Sequence, residues 1–344
     1  MTTNALIRPH GGPDALGPVR WDFSTNVNAA GPCPQALQAL ARVDASRYPD
    51  PGYHALRERL AAWHGVAPRR LLFAASASEF IQRITAVGQR QMPGPVAAPA
   101  LAYGDYAVAA RACGRAVVDA DADTATLRWC ADPGSPLGQD GPPPPDPAAV
   151  PTVLDAAYAP LRLSGAPRWS GAAGDAVFQL YSPNKALGLP GIRGAYAIAP
   201  ADAPWPLQAW CEALQAAEPS WPLGAHAVAL LECWTDAASQ AWLAEARQTL
   251  GIWTASLRAG LAGLGLQPAP SVTPFLCARR PAALRAEALR RHGLAVRDTT
   301  SLGLPGWMRV SAQPPAALDA LLGVLRRLAA DPQALSPCAD APHP

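Results

Sequence analysis

Apolar positions recur at helical spacing from Tyr53 through Leu56 and Leu60 to Trp63, and the His64-Gly65-Val66 that follows reads as a helix stop. Beyond it, short apolar runs alternate with helical stretches. LLFAA (71–75), PVAAPA (95–100) and AVVDA (116–120) read as buried strands, with one helix opening at Glu79 and another running from Tyr106 to Ala112. PTVLDAAY (151–158) reads as a strand ending in Asp155, and VFQLYS (177–182) as one ending just before Lys185. Strands that alternate with helices predict a parallel sheet covered by helices. From about residue 205 the pattern changes to a Trp-rich helical stretch with long helices over 224–234 and 238–264. Strands at 272–278, 294–297 and 307–312 and helices at 281–291 and 315–329 complete a smaller α+β unit.

This pattern divides the chain into an N-terminal arm (1–35), a large α/β domain (36–220), a small C-terminal α+β domain (221–330) and a tail (331–344) expected to be disordered. The stretch 132–151, with four prolines at 142–145, reads as a stiff loop.

Composition narrows the function. Half of the 344 residues are hydrophobic, 16% are charged and the net charge is +2, a balance unlike that of a nucleic-acid binder. No apolar run is long enough to span a membrane, and the first residues lack the apolar core of a secretory signal. The seven cysteines are scattered and never spaced as CxxC, so they read as reduced thiols of a cytoplasmic protein and not as a zinc or disulfide framework. Of the 28 basic residues, 27 are Arg and one is Lys185. Arg cannot supply a nucleophilic amine near neutral pH, whereas Lys can form a Schiff base.

The neighbours of Lys185 give it a context. Ligands of open α/β sheets bind at the carboxyl ends of strands, and several polar groups fall there. Asp155 and Tyr158 follow one strand; Ser182, Asn184 and Lys185 follow the next, and Arg193 lies inside GLPGIRG. Ser76-Ala77-Ser78-Glu79 sits at a strand-to-helix turn whose amides suit an anion. Each has a plain structural alternative: Asp155 as a helix cap, Ser78 as an N-cap, Arg193 as a surface charge. Together they describe one pocket holding an amine, a carboxylate, hydroxyls, a guanidinium and an anion cradle. That is the set pyridoxal phosphate requires.

The segments RYPDPGYHALRERLA (47–61), SPNKALGLPGIRG (182–194) and VRDTTSLGLPGWMRV (296–310) carry a resemblance, together with HGG (10–12), DFSTNVNAAGP (22–32), ASASE (75–79), AYGDY (102–106) and LDAAY (154–158). With these the chain resembles the fold-type I pyridoxal-phosphate enzymes of the histidinol-phosphate aminotransferase and threonine-phosphate decarboxylase group. The resemblance implies an aspartate aminotransferase-like α/β fold, with a mostly parallel central sheet, helices on both faces and a small C-terminal α+β domain. It implies Lys185 as the Schiff-base lysine, Asp155 as partner of the pyridine nitrogen, Tyr158 as hydrogen-bond partner of the ring hydroxyl and Tyr103 as the residue stacked on the ring. Ala77, Ser78, Ser182 and Arg193 would hold the cofactor phosphate. Tyr48 would reach the cofactor of a neighbouring subunit, which implies a homodimer with shared active sites. Arg297 and Arg309 would grip the anionic groups of a small phosphorylated amino-acid substrate, and Asn26 would close over it.

The arm's HGG followed by DFSTN looks more like the decarboxylases, with His10 helping to bind the substrate phosphate. The expected reaction is therefore decarboxylation of O-phospho-L-threonine to aminopropanol phosphate, a step of cobalamin biosynthesis. The alternative is an aminotransferase of the histidinol-phosphate type using 2-oxoglutarate. A third reading is a non-catalytic cofactor-binding homologue. It is motivated by Ser135, which stands where the group carries an Asn on the cofactor ring hydroxyl.

Overall fold

The computed structural model describes residues 11–13, 17–141, 149–281, 284 and 286–330. The chain runs β1 (Trp21–Asp22), α1 (Pro34–Leu40), α2 (His54–His64), β2 (Leu71–Ala74), α3 (Ala77–Gln91), β3 (Val96–Ala97), α4 (Asp105–Ala112), β4 (Val117–Val118), β5 (Leu127–Ala131) and β6 (Thr152–Asp155). It continues through α5 (Ala172–Asp175), β7 (Phe178–Tyr181), β8 (Ala195–Ile198), α6 (Leu207–Ala216), α7 (Ala225–Trp234) and α8 (Ala237–Gly263). The last elements are β9 (Phe275–Arg279), α9 (Ala286–Arg291), β10 (Leu294–Ala295), β11 (Arg297–Asp298), β12 (Trp307–Ser311) and α10 (Pro315–Ala330).

Seven strands form one sheet in the order β2-β8-β7-β6-β5-β3-β4. All are parallel except β8, which runs antiparallel to β2 and β7. Alternation of side chains along each strand explains why both faces are buried. Leu71, Phe73, Tyr196 and Ile198 pack with Leu56, Leu60, Leu230 and Leu231 of α2 and α7. Their sequence neighbours Leu72, Ala74, Ala195 and Ala197 face the other way, onto Phe80, Ile81 and Ile84 of α3 and Trp210 of α6. A second sheet, β11-β12-β9, is antiparallel and packs on α10. Helix α8 belongs to both layers: Leu243 and Leu250 join the first core, Leu257 and Leu261 that of the small sheet.

Two strands of the large sheet lay hidden in the sequence pattern. β5 is interrupted by Arg128, which is buried and hydrogen-bonds the Ala122 carbonyl at 3.3 Å. β8 reads AYAI, half of it alanine. The helix expected to open at Glu79 starts two residues earlier, and its N-cap is Ser76, not Ser78. The Ser76 hydroxyl accepts the Glu79 amide at 3.1 Å while a Glu79 carboxylate oxygen accepts the Ala75 amide at 3.2 Å. That reciprocal cap leaves the hydroxyl of Ser78 free for another partner. The tail and the proline run at 142–145 lie outside the described residues.

Candidate active site

The expected site residues gather where β6 and β7 end, facing the small sheet. Asp155 is the last residue of β6 and is 8% exposed. Its Oδ1 accepts the Ala157 amide at 2.9 Å and its Oδ2 the Tyr106 hydroxyl at 2.6 Å. Tyr158 follows in the next turn. Lys185 lies in the turn after β7, its Nζ 5.5 Å from the centroid of the Tyr158 ring. The Lys185 carbonyl accepts the amides of Asn28 and Gly188, which ties the arm to this turn. Ser182 donates to Asn184 Oδ1 at 2.8 Å, and Asn184 Nδ2 donates to the carbonyls of Pro190 and Ile192 at 3.3 and 3.1 Å. Asn184 thereby shapes the loop that carries Arg193, whose side chain is exposed.

The first-turn amides of Ala77 and Ser78 open the N-terminal end of α3, where the helix dipole favours an anion. The Ser78 hydroxyl lies 3.1 Å from Tyr103 Oη. Burial pushes the Tyr103 phenol well above its ordinary pKa, so it remains a hydroxyl.

Arg309 on β12 and Arg297 on β11 are register partners, 8% and 9% exposed. Arg309 donates to Ser135 Oγ and to the Ser24 carbonyl, both at 3.2 Å, and its guanidinium lies over the Phe275 ring. Phe275 in turn meets Tyr158 edge-on at 4.9 Å. Arg297 donates to Ser301 Oγ at 2.8 Å. Burial, then the charge of Arg309, lowers its pKa. Asn26, 5% exposed, donates to Tyr158 Oη at 3.3 Å.

Two expected residues stand apart, and a third lies beyond the described chain. Tyr48 is 78% exposed and stacks on Trp221 at 4.4 Å, with no contact to the other site residues among those described. Arg193 has no hydrogen bond within the cluster among the described residues. His10 lies outside the described residues. Ser135 is within the cluster, but its hydroxyl serves Arg309, and the donor on the Tyr158 hydroxyl is Asn26. Sequence reasoning overlooked Tyr106 and Phe275. A signal for Tyr106 existed, because Tyr103 and Tyr106 are three residues apart at a helix start and so share a face.

The donor set fits pyridoxal phosphate. It offers an amine beside a phenol, a buried carboxylate, an open helix end and buried polar atoms in want of partners. Asn26 Oδ1 and Arg309 Nε have no hydrogen-bond partner among the described residues. Residues 20–128 and 148–325 match the family model of class I and II aminotransferases.

The chain belongs to the class I and II aminotransferase family.

This aminotransferase-family chain is a fold-type I enzyme, and pyridoxal phosphate is the cofactor that its family implies. It is 29% identical to the histidinol-phosphate aminotransferase of Granulibacter bethesdensis, over 92% of this chain and 91% of that one. It is 30% identical to histidinol-phosphate aminotransferase 1 of Thiobacillus denitrificans, over 88% and 85%. Among solved structures, the Sinorhizobium meliloti histidinol-phosphate aminotransferase in complex with pyridoxal-5'-phosphate superposes with a TM-score of 0.75 at 22% identity, covering 95% of this chain and 100% of that one. The L-threonine-O-3-phosphate decarboxylase of Porphyromonas gingivalis gives 0.71 at 21%, covering 89% and 98%. At those identities the two structures speak for the fold alone. No helix among the described residues is long and apolar enough to cross a membrane.

Proposed function

We propose that this chain is an aminotransferase that takes an amino group from a phosphorylated donor of the histidinol-phosphate type and passes it to 2-oxoglutarate. The observation that carries the reading is the buried Arg297–Arg309 pair facing the Lys185 and Tyr158 turn. Two guanidiniums held against each other favour a doubly charged anion such as a phosphate, and the same pair can grip the carboxylates of 2-oxoglutarate. The curated relatives quoted above reverse the order of the two reactions expected from the sequence, since both are histidinol-phosphate aminotransferases.

When bound, pyridoxal phosphate supplies an electron sink for the carbanion left at the substrate's α-carbon. The chain's residues do the rest. Lys185 anchors the cofactor through its Nζ and moves the proton between carbon atoms. Asp155 would hold the ring nitrogen, and Tyr158, braced by Asn26, the ring hydroxyl. Tyr103 would cover the ring. Ala77 and Ser78 amides, Ser182 and Arg193 would take the phosphate. Arg309, braced by Ser24 and Ser135, would grip an anionic group of the substrate and so orient it beside Lys185. The exposed Tyr48–Trp221 stack supports a homodimer in which Tyr48 reaches the neighbouring active site, since exposed aromatics of this kind mark protein contacts.

Decarboxylation of O-phospho-L-threonine remains as a second reading because of one contact. The Gly12 amide donates to Ser24 Oγ at 2.8 Å, and the Ser24 carbonyl accepts from Arg309, so Gly12 is tied through Ser24 to that arginine. A paired assay tests both. Holoenzyme with histidinol phosphate and 2-oxoglutarate is expected to form glutamate over many turnovers. Holoenzyme with O-phospho-L-threonine and no 2-oxo acid is expected to form no aminopropanol phosphate. The opposite result in both arms overturns the proposal in favour of the decarboxylase.

A further inference from the structure

The carboxylate of Asp155 is held by two different donors. One is the backbone amide of Ala157; the other is the phenol of Tyr106, at 2.6 Å. Tyr106 is itself fixed on every side. It sits in the first turn of α4 and is 1% exposed. Its ring stacks on Trp129 of β5 with centroids 4.5 Å apart and planes only 6° from parallel, and it meets the Tyr103 ring edge-on at 5.9 Å. Strand β5 is the direct neighbour of β6, with Trp129 paired to Val153 and Ala131 to Asp155. The phenol is therefore carried to Asp155 by a helix and held there by the sheet through Trp129. Burial, and next the Asp155 charge, hold the phenol pKa far above its ordinary value, so Tyr106 stays a donor.

We propose that Tyr106 is a positioning residue that fixes the Asp155 carboxylate in the orientation that meets the cofactor's ring nitrogen. The inference rests on the cofactor reading above and goes beyond it, because it concerns a side chain whose hydroxyl is spent on Asp155. A hydrogen bond donated to a carboxylate favours the charged form, and an O–H···O⁻ bond is about twice as strong as a neutral one. With the phenol in place, the carboxylate would face the ring nitrogen and keep a proton there, where it makes the ring the better electron sink. Without it, Oδ2 loses its side-chain donor, the carboxylate is free to turn, and the ring nitrogen would hold its proton less firmly.

The alternative is that Tyr106 only fills space on Trp129. Tyr106→Phe separates the two, because it keeps the ring and its stack and removes one oxygen. Wild type and variant are loaded with pyridoxal phosphate carrying ¹⁵N in the ring, and the nitrogen resonance is read alongside the absorption spectrum, kcat and KM. The variant is expected to bind the cofactor and to move the nitrogen resonance toward the unprotonated pyridine value. Its kcat is expected to fall about tenfold or more with KM within about threefold, as loss of a bond to a charged group predicts. In an Asp155→Asn background the same substitution is expected to change the resonance no further, and this cycle serves even where the single variant folds poorly. A variant whose resonance matches wild type, or a shift that persists in the Asp155→Asn background, overturns the inference. Wild type that fails to bind pyridoxal phosphate through Lys185 overturns the cofactor reading instead.

Discussion

Arg297 and Arg309 face each other as register partners on β11 and β12, two like charges opposite one another and both more than nine-tenths buried. Like charges directly opposite on a sheet repel, and the lowered pKa of Arg297 carries the mark of burial and of Arg309. The Asp298 charge offsets part of this repulsion at Arg297, and an anion joining the pair would offset more. Replacing Arg309 with Gln is expected to lower kcat/KM by about a hundredfold or more, while thermal stability stays within about 1 kcal/mol of wild type because the repulsion goes with the charge. Steady-state kinetics and a melting curve check this. A large loss of stability with kcat/KM unchanged would make the pair structural.

Lys185 is the only lysine in the chain, so one substitution removes every candidate side-chain amine. Lys185→Ala is expected to abolish turnover and the visible absorbance of lysine-bound cofactor, leaving the spectrum of the free aldehyde. Spectra of the reconstituted wild type and variant decide it. A visible band that survives the substitution would place the covalent attachment elsewhere.

Gly11 approaches the arm so closely that a Cβ there would overlap the Ser24 carbonyl oxygen. That oxygen accepts from Arg309 Nη2 at 3.2 Å. A Gly11→Ala chain must therefore move either the arm or the brace on the arginine. We expect KM to rise about tenfold, as small displacements of a positioning group commonly cost, with little change in melting temperature, since Gly11 contributes to none of the cores. An unchanged KM would show that the arm moves aside without disturbing Arg309.

The framework of the enzyme was legible where the residues announce their environment. The ends of β6 and β7, the two long helices and the small sheet all follow from apolar runs and helical spacing. Lys185, Asp155 and Tyr158 stand at those strand ends, as expected. What escaped was decided by tertiary contact. β5 carries a buried Arg128 inside a strand, which breaks the apolar signal, and β8 is built of small residues that read as loop. Ser135 shows the limit most directly: its position in the loop was legible, but its partner, Arg309, is 174 residues away. Tyr106 was in view as a helical apolar position, and only the sheet order reveals that it points at Asp155.

His64 closes α2 and gives the fold a dependence on pH that is separate from catalysis. Its Nε2 lies 2.8 Å from Tyr196 Oη, with the Trp63 and Tyr181 rings 4.5 and 4.9 Å away. Burial raises the Tyr196 phenol well above its ordinary pKa, so Tyr196 donates and His64 accepts. Burial also pushes the His64 pKa down from 6.5 to about 4. In the unfolded chain the imidazole takes a proton near pH 6.5, while in the folded chain it stays neutral until about pH 4. The unfolded state thus binds the extra proton within that window. The stabilising contribution is whole above pH 6.5 and is lost as the pH falls toward 4, by ~3 kcal/mol at most. Gln cannot titrate, so His64→Gln should start less stable at pH 7.5 and fall less steeply. Denaturant unfolding of both proteins from pH 7.5 to 4.5 measures the difference. Curves that decline in parallel would mean that His64 takes its proton in the folded protein as readily as in the unfolded chain.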